Sequence, residues 1–262
     1  MKPLEFLAEV LPSPGHGLYC AAELSTTRRE HVFVEDIKEI KSSVRRWLSK
    51  NRNIYFALAT FDPKVQGLAT RRRTAENAQY VRSLFIDMDG YDSKKGAAMA
   101  LNAFLQKTGL DEFGTPYVVA SGGGLHVYWP FTEAVSRKEW VNCAKRLKSL
   151  CAEHEFEADP SRTADAASIL RMPDTYNHKS DPPLDVTVML SADAPTSFDD
   201  FKTILGVIDD TPDYLPTFAD EMTKALMGNK QHRFQIIVDK NANGTGCMQL
   251  AKAIADQKEL DE

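Results

Sequence analysis

The sequence predicts an α+β fold, and three observations carry that expectation. Apolar runs of strand length recur at residues 54–61, 84–88, 117–121, 125–131 and 185–190. Stretches of helical spacing or composition lie at 37–50, 96–107 and 136–154. Hairpin signals join some of the strands, and the regular βα alternation of a parallel-sheet protein is missing.

Taken in order, IKEIKSSVRRWLSK (37–50) reads as an amphipathic helix and IYFALATF (54–61) as one buried strand, ended by Asp62-Pro63. The basic stretch Arg71, Arg72, Arg73 follows, then the strand SLFIDMDG (83–90). YVVAS (117–121) and LHVYWPF (125–131) flank three glycines, a hairpin signal with more glycine than a tight turn requires. Ser136 begins a helix that runs to about His154, with Glu139 three residues on to complete a capping box. In that helix Trp140, Ala144, Leu147 and Leu150 recur at core spacing. FEADP and TADAASILRMPDTYNHK lead to a last strand, DVTVML (185–190). Beyond about residue 196 the pattern is one of short helices and loops. Residues 1–205 are therefore expected to form one domain, and 206–262 a mostly helical extension or linker.

Composition bounds the function. With 43% hydrophobic residues the chain can build a real core, and no apolar run is long enough to span a bilayer. The start, MKPLEFLAEVLP, carries acids within its apolar stretch and does not read as a signal peptide, so a cytoplasmic location and no membrane partner are expected. A net charge of −5 argues against a protein that merely coats nucleic acid. It leaves room for an enzyme with local basic patches. Cys20, Cys143, Cys151 and Cys247 form no CxxC pair, which supports neither a disulfide framework nor a zinc site.

The candidate chemistry lies in three segments. Alternation along SLFIDMDG puts Phe85, Asp87 and Asp89 on one face, the carboxylates about 7 Å apart, with Leu84, Ile86 and Met88 toward the core. Two like charges so placed suit a hard divalent cation, or else a solvated strand end. In LHVYWPF the apolar face is filled, so His126 and Tyr128 are expected on the displayed face. Ser121 and the amides of Gly123 and Gly124 are placed to meet phosphate, or else form an ordinary flexible turn. Asp159 offers a third carboxylate, or a helix cap, with Asp165 as a weaker rival. Arg171, Asn177 and Lys179 lie close together downstream, where the arginine suits bidentate phosphate binding or a surface ion pair.

The order of these segments resembles the archaeo-eukaryotic primase superfamily, in particular phage and plasmid primase-polymerases. That family combines a strand bearing DxD, an SxH-like hairpin and a hydrophobic-D segment, here FIDMD (85–89), SGGGLH (121–126) and FEAD (156–159). RMPDTYNHK (171–179) is similar to the family's RxPxTxNxK phrase, with PDT where PGT is common. Ala158 is less hydrophobic than the residue usual before the third acid. The resemblance spans roughly residues 50–190.

The resemblance implies an RRM-like catalytic unit packed on a second α/β unit, with the site between them. It implies two divalent ions, Mg²⁺ or Mn²⁺, on Asp87, Asp89 and Asp159. Nucleotide would be held by Ser121, Gly123, Gly124, His126, Arg171, Asn177 and Lys179, and Arg72, Arg73 and Tyr128 would touch template or nucleotide. Implied partners are a single-stranded DNA template, nucleoside triphosphates (dNTP or NTP) and a replicative helicase region or protein. The implied setting is a phage- or plasmid-encoded protein in a bacterial host. Two other readings stay open: a metal-dependent phosphodiesterase or nuclease using the same acids, and a non-catalytic replication-associated DNA-binding domain.

Overall fold

The structure is a computed structural model that describes residues 2–25, 29–65, 67 and 72–207. The described residues fall within one compact unit, Met1–Ile208. The expected helical extension and Arg71 lie outside the described residues. Among the described residues no helix is long and apolar enough to cross a membrane.

The unit opens with helix α1 (Pro3–Val10), started by a proline whose missing N–H costs nothing in a first turn. Strands β1 (Tyr19–Glu23) and β2 (Glu30–Val34), helix α2 (Ile40–Leu48) and strand β3 (Ile54–Ala57) follow. Next come β4 (Ala59–Phe61), β5 (Ala78–Met88), helix α3 (Lys94–Thr108), β6 (Tyr117–Ala120), β7 (Leu125–Ser136) and helix α4 (Arg137–Glu153). A short helix α5 (Pro160–Thr163), strands β8 (Ile169–Arg171), β9 (Thr175–Asn177) and β10 (Leu184–Leu190), and helix α6 (Phe198–Leu205) complete it.

Two sheets result. One has the order β2-β1-β3-β8, the other β4-β5-β7-β6-β10-β9. Within the larger sheet, β5-α3-β6-β7-α4 with spatial order β5-β7-β6 is the RRM-like arrangement the resemblance implied.

The single strand expected at 54–61 is two strands in different sheets. Leu58 separates them, its N–H donating to the Ser168 carbonyl while β3 and β4 pair elsewhere. Ile54, Phe56, Ala57, Leu58, Ala59 and Phe61 are all buried, so a continuous apolar run gave no sign of the break. Periodicity reports burial, and both sheets bury this segment.

A second expectation is corrected on β7. Its apolar face is filled, but His126 is not displayed: it is 3% exposed, and Tyr128 is fully buried. Phe6 of α1 packs edge-on to Tyr128 at 5.3 Å and Phe56 of β3 stacks at 6.3 Å, so the second face is covered too. Phe85, opposite Tyr128 in the ladder, is likewise fully buried and stacks on Trp140 of α4. Trp140 also donates its indole N–H to the Ser83 carbonyl at 2.9 Å, fixing α4 to β5. Ser136 and Glu139 form the expected capping box, and Trp140, Ala144, Leu147 and Leu150 are buried.

Candidate active site

The larger sheet carries the acids. Pairing of β5 with β7 sets Asp87 opposite His126 and Met88 opposite Leu125, so Asp87 and His126 share a face. The β6–β7 turn then returns over the end of β5. Ser121 N–H donates to the Gly124 carbonyl at 2.9 Å, and Gly124 N–H donates to Ser121 Oγ at 3.1 Å.

The three glycines differ in what they do. A Cβ at Gly124 would lie 2.0 Å from the Met88 carbonyl oxygen and 2.4 Å from Asp89 Oδ1, so only glycine lets this turn lie on the end of β5. Gly122 has φ +89 and would press its Cβ to 2.7 Å from Asn177. At Gly123 a Cβ would meet nothing, and that residue lines a cavity. Gly124 therefore shapes the turn and its amide is engaged there, rather than free for phosphate.

The cavity, about 710 Å³ in volume, lies between the two sheets. Asp87, Asp89, Ser121, Gly123, His126, Asn177 and Lys179 line it from the larger sheet, and Arg29, Tyr55 and Arg171 from the smaller. Asp159 and Arg162 close one end. A second cavity of about 250 Å³ lies against α1 and α2. It is walled mainly by Leu4, Leu7, Ile40, Val44 and Met172 and carries no convergent acids.

Asp87 and His126 are the two strongly perturbed groups in the cavity. The Asp87 side chain is 14% exposed, and its Oδ1 is buried without a hydrogen-bond partner. Burial first, then the charges of Asp89 and Asp159, push its carboxyl up to about 7. His126 Nε2 lies 3.4 Å from that oxygen, but this is not a salt bridge at neutral pH. Burial, with a smaller push from Arg171, lowers the imidazole to about 3. Tyr128 OH meets His126 Nδ1 at 3.3 Å. With that hydroxyl donating, the neutral ring carries its proton on Nε2, toward the cavity.

Asp159 is brought to Asp87 by backbone: its N–H donates to the Asp87 carbonyl at 2.8 Å. Its Oδ1 caps α5, accepting from Ser161 N–H at 2.8 Å and Ser161 Oγ at 2.6 Å. Arg162 Nε stands 3.4 Å from Oδ2. Partial burial opposes ionisation here, but the Ser161 hydrogen bonds and Arg162 outweigh it and hold the carboxyl below its usual range. Asp165 does not line the cavity and accepts instead from Ala167 N–H.

The cations are held with equal care. Arg171 is buried, its Nη1 donating to Asn53 Oδ1 at 2.7 Å and its guanidinium lying 5.0 Å from the Tyr55 ring centre. The same Asn53 oxygen accepts from His178 N–H at 2.9 Å. Asn177 Nδ2 donates to the Ser121 carbonyl and its Oδ1 accepts from Lys179 N–H, each at 3.1 Å, tying the cavity ends of β6 and β9 together.

Two expected contacts fall away. Tyr128 is fully buried behind His126 and does not reach the cavity. Arg72 packs over the Phe33 ring, 4.6 Å from its centre, while Arg73 does line the cavity. Sequence reasoning missed Arg29, Asn53, Tyr55 and Arg162. Only Arg162 carried a signal, standing one helical turn after Asp159.

No family model matches the chain, and no curated protein matches it. Solved structures do. The AEP domain of the cyanophage S-2L primase-polymerase is similar at 12% identity and TM-score 0.56, over 77% of this chain and 95% of that one. Primase RepB′ is similar at 12% identity and TM-score 0.51, over 78% of this chain and 61% of that one. At such identity the likeness shows the backbone alone: this chain has the fold of those primase-polymerase and primase domains.

Proposed function

We propose that the protein is a metal-dependent nucleotidyltransferase that extends a strand on a single-stranded DNA template from nucleoside triphosphates. The observation that carries this reading is the buried, unpartnered Asp87 Oδ1, beside two further carboxylates and facing cations across one cavity. An ionised carboxylate buried without a donor is costly unless a cation meets it. The donor set is all oxygen, which suits Mg²⁺ or Mn²⁺.

Asp87, Asp89 and Asp159 would hold the ions. Among the described residues no three acidic, histidine or cysteine side chains already converge as a ligand cage. Bound divalent ions would lower the pKa of a 3′-hydroxyl and neutralise charge on the phosphates.

The chain's own residues supply the rest. Arg171, preset by Asn53 and Tyr55, and Lys179 offer positive charge to the triphosphate. His126, neutral across the physiological range, donates its Nε2 proton to a phosphate oxygen and adds no charge of its own. Ser121 keeps its hydroxyl proton to donate, since its oxygen already accepts from Gly124. The Gly123 amide borders open space in which a phosphate can approach the backbone.

The test uses single-stranded DNA, Mn²⁺ or Mg²⁺ and labelled nucleotides, with and without an annealed primer, beside Asp87→Ala/Asp89→Ala. Strands made by the wild type and lost in the variant support the reading, and the primer-free lane shows whether it primes. Folded protein that makes no strand overturns it, in favour of a nuclease if the DNA is cut and of a binding module if it is not.

A further inference from the structure

Away from the cleft, the cavity of about 250 Å³ against α1 and α2 is an apolar hollow with cations on its rim. Leu4 and Leu7 stand one turn apart on α1, and Ile40 and Val44 one turn apart on α2, so each helix gives the hollow an apolar stripe. Leu7, Ile40 and Met172 are buried, while Leu4 and Val44 are half-buried. Met172, from the β8–β9 connection, completes the wall, and the unbranched thioether adapts readily to different apolar neighbours.

The rim has one sign. Lys2, Lys41 and Arg45 line the hollow, all three exposed, and no acid lines it. None of the three has a carboxylate within ion-pair distance among the described residues. Lys41 and Arg45 also stand four residues apart on α2, a like-charge spacing that disfavours the helix. Residues 37–53 hold six cations and one acid in a chain whose net charge is −5, so positive charge is gathered here against the overall balance.

An apolar hollow ringed by such cations selects its occupant. A hollow of about 150 Å³ walled by aliphatic side chains already admits a benzene ring. This one is larger, and takes a large apolar side chain. It is smaller than the roughly 300–1,000 Å³ of small-molecule sites. Nucleic acid would bring phosphates to the rim, but a base entering the hollow would leave its polar edges unpaired, since aliphatic side chains wall it. A peptide that sets an apolar side chain among carboxylates satisfies both halves. We propose that the hollow between α1 and α2 is a docking site for an acidic segment of another protein, anchored by one aromatic or branched aliphatic side chain, with its flanking carboxylates on Lys2, Lys41 and Arg45. The proposal stands apart from the nucleotidyl-transfer reading, because none of these residues lines the cavity that holds Asp87.

Fluorescence anisotropy of the full chain with labelled synthetic peptides tests it. The first peptide is a run of aspartates with one phenylalanine or one leucine at its centre. The second has serine at that centre, and the third keeps the apolar residue but has asparagine for aspartate. The first should bind saturably, the second about 10- to 100-fold more weakly, and the third about fivefold more weakly at low salt. Lys41→Ala/Arg45→Ala, two exposed positions given the best helix former, should weaken the first peptide about fivefold with the melting temperature kept. Val44→Trp fills the hollow and should abolish the preference for the first peptide over the second. No saturable binding of the first peptide, or equal binding of the first two, overturns the proposal. Single-stranded DNA that binds more tightly than the first peptide and loses that advantage in Lys41→Ala/Arg45→Ala overturns it too, and assigns the rim to phosphates. A dimer in sedimentation that Val44→Trp dissociates overturns it in favour of a second copy of this chain.

Discussion

On the larger sheet the functional atoms come from neighbouring strands and the turn between them, whereas on the opposite side they are collected from distant parts of the chain. Asp87, Ser121, Gly123 and His126 sit within one ladder and its hairpin, and Asn177 is bonded to that hairpin and in turn holds Lys179. The arginine side draws on the residue before β2, the segment before β5, α5 and β8, with Asn53 and His31 as supports. The first side is fixed by main-chain hydrogen bonds and glycine sterics. The second is fixed by side chains that hold other side chains. Damage should therefore be local and severe on the first, and graded on the second.

The largest effect tests the acid side. Asp87→Asn should reduce strand synthesis roughly 10³-fold, read by primer extension. The same change should stabilise the metal-free protein at pH 8. Burial, then Asp89 and Asp159, raise the Asp87 carboxyl from 3.8 to about 7 in the folded state. The protonated form therefore favours folding. Its contribution is whole below the unfolded value and is lost as pH rises through about 7. Melting temperature in EDTA should fall over that window for the wild type more than for Asp87→Asn, and Mn²⁺ should restore the wild type alone. Equal pH slopes would remove Asp87 from this role.

The next effect tests the arginine side. Arg171→Ala should raise the KM for nucleotide about 10- to 100-fold, and Arg171→Lys should recover little because the planar fork is lost. Asn53→Ala should cost about tenfold, chiefly through Arg171 and less through His178 N–H, which shares its oxygen. A double-mutant cycle checks this: in the Arg171→Ala background the Asn53 change should lose most of its effect on KM. Additive losses would mean that Asn53 does not act by positioning the guanidinium.

A smaller effect separates two adjacent glycines. Gly124→Ala meets backbone and should destabilise by about 1–3 kcal/mol, while Gly123→Ala meets open space and should stay within about 0.5 kcal/mol. Urea denaturation of the pair decides it. The smallest effect is a slope. His31 is held neutral at about 4, against 6.5 unfolded, so its contribution is present above pH 6.5 and lost as pH falls toward 4. His31→Gln should flatten stability over that interval, and an unchanged slope would show that another group sets it.

The same contrast explains what could be read from the chain. The DxD strand, the glycine turn, the α4 cap and the RMPDTYNHK phrase are contiguous in sequence, and local pattern reports them. Asn53 could not be seen that way, because the residues it holds lie more than a hundred positions away. Asn53 lies in an unremarked NRN turn, and only the fold places Arg171 and His178 on its oxygen. His126 was misplaced for a related reason: one filled face of a strand says nothing about what α1 and β3 bring to the other.

The break at Leu58 has a mechanical consequence. The chain passes from the smaller sheet to the larger across that one residue, and again from β8 to β9 across residues 172–174. A connection of one to three residues spans about 10 Å or less fully stretched, so at each join the facing strand ends stay close whatever angle the sheets adopt. Any change in the width of the cleft must therefore be taken up by the φ and ψ of Leu58 and of residues 172–174, which makes these two joins the pivots of the molecule.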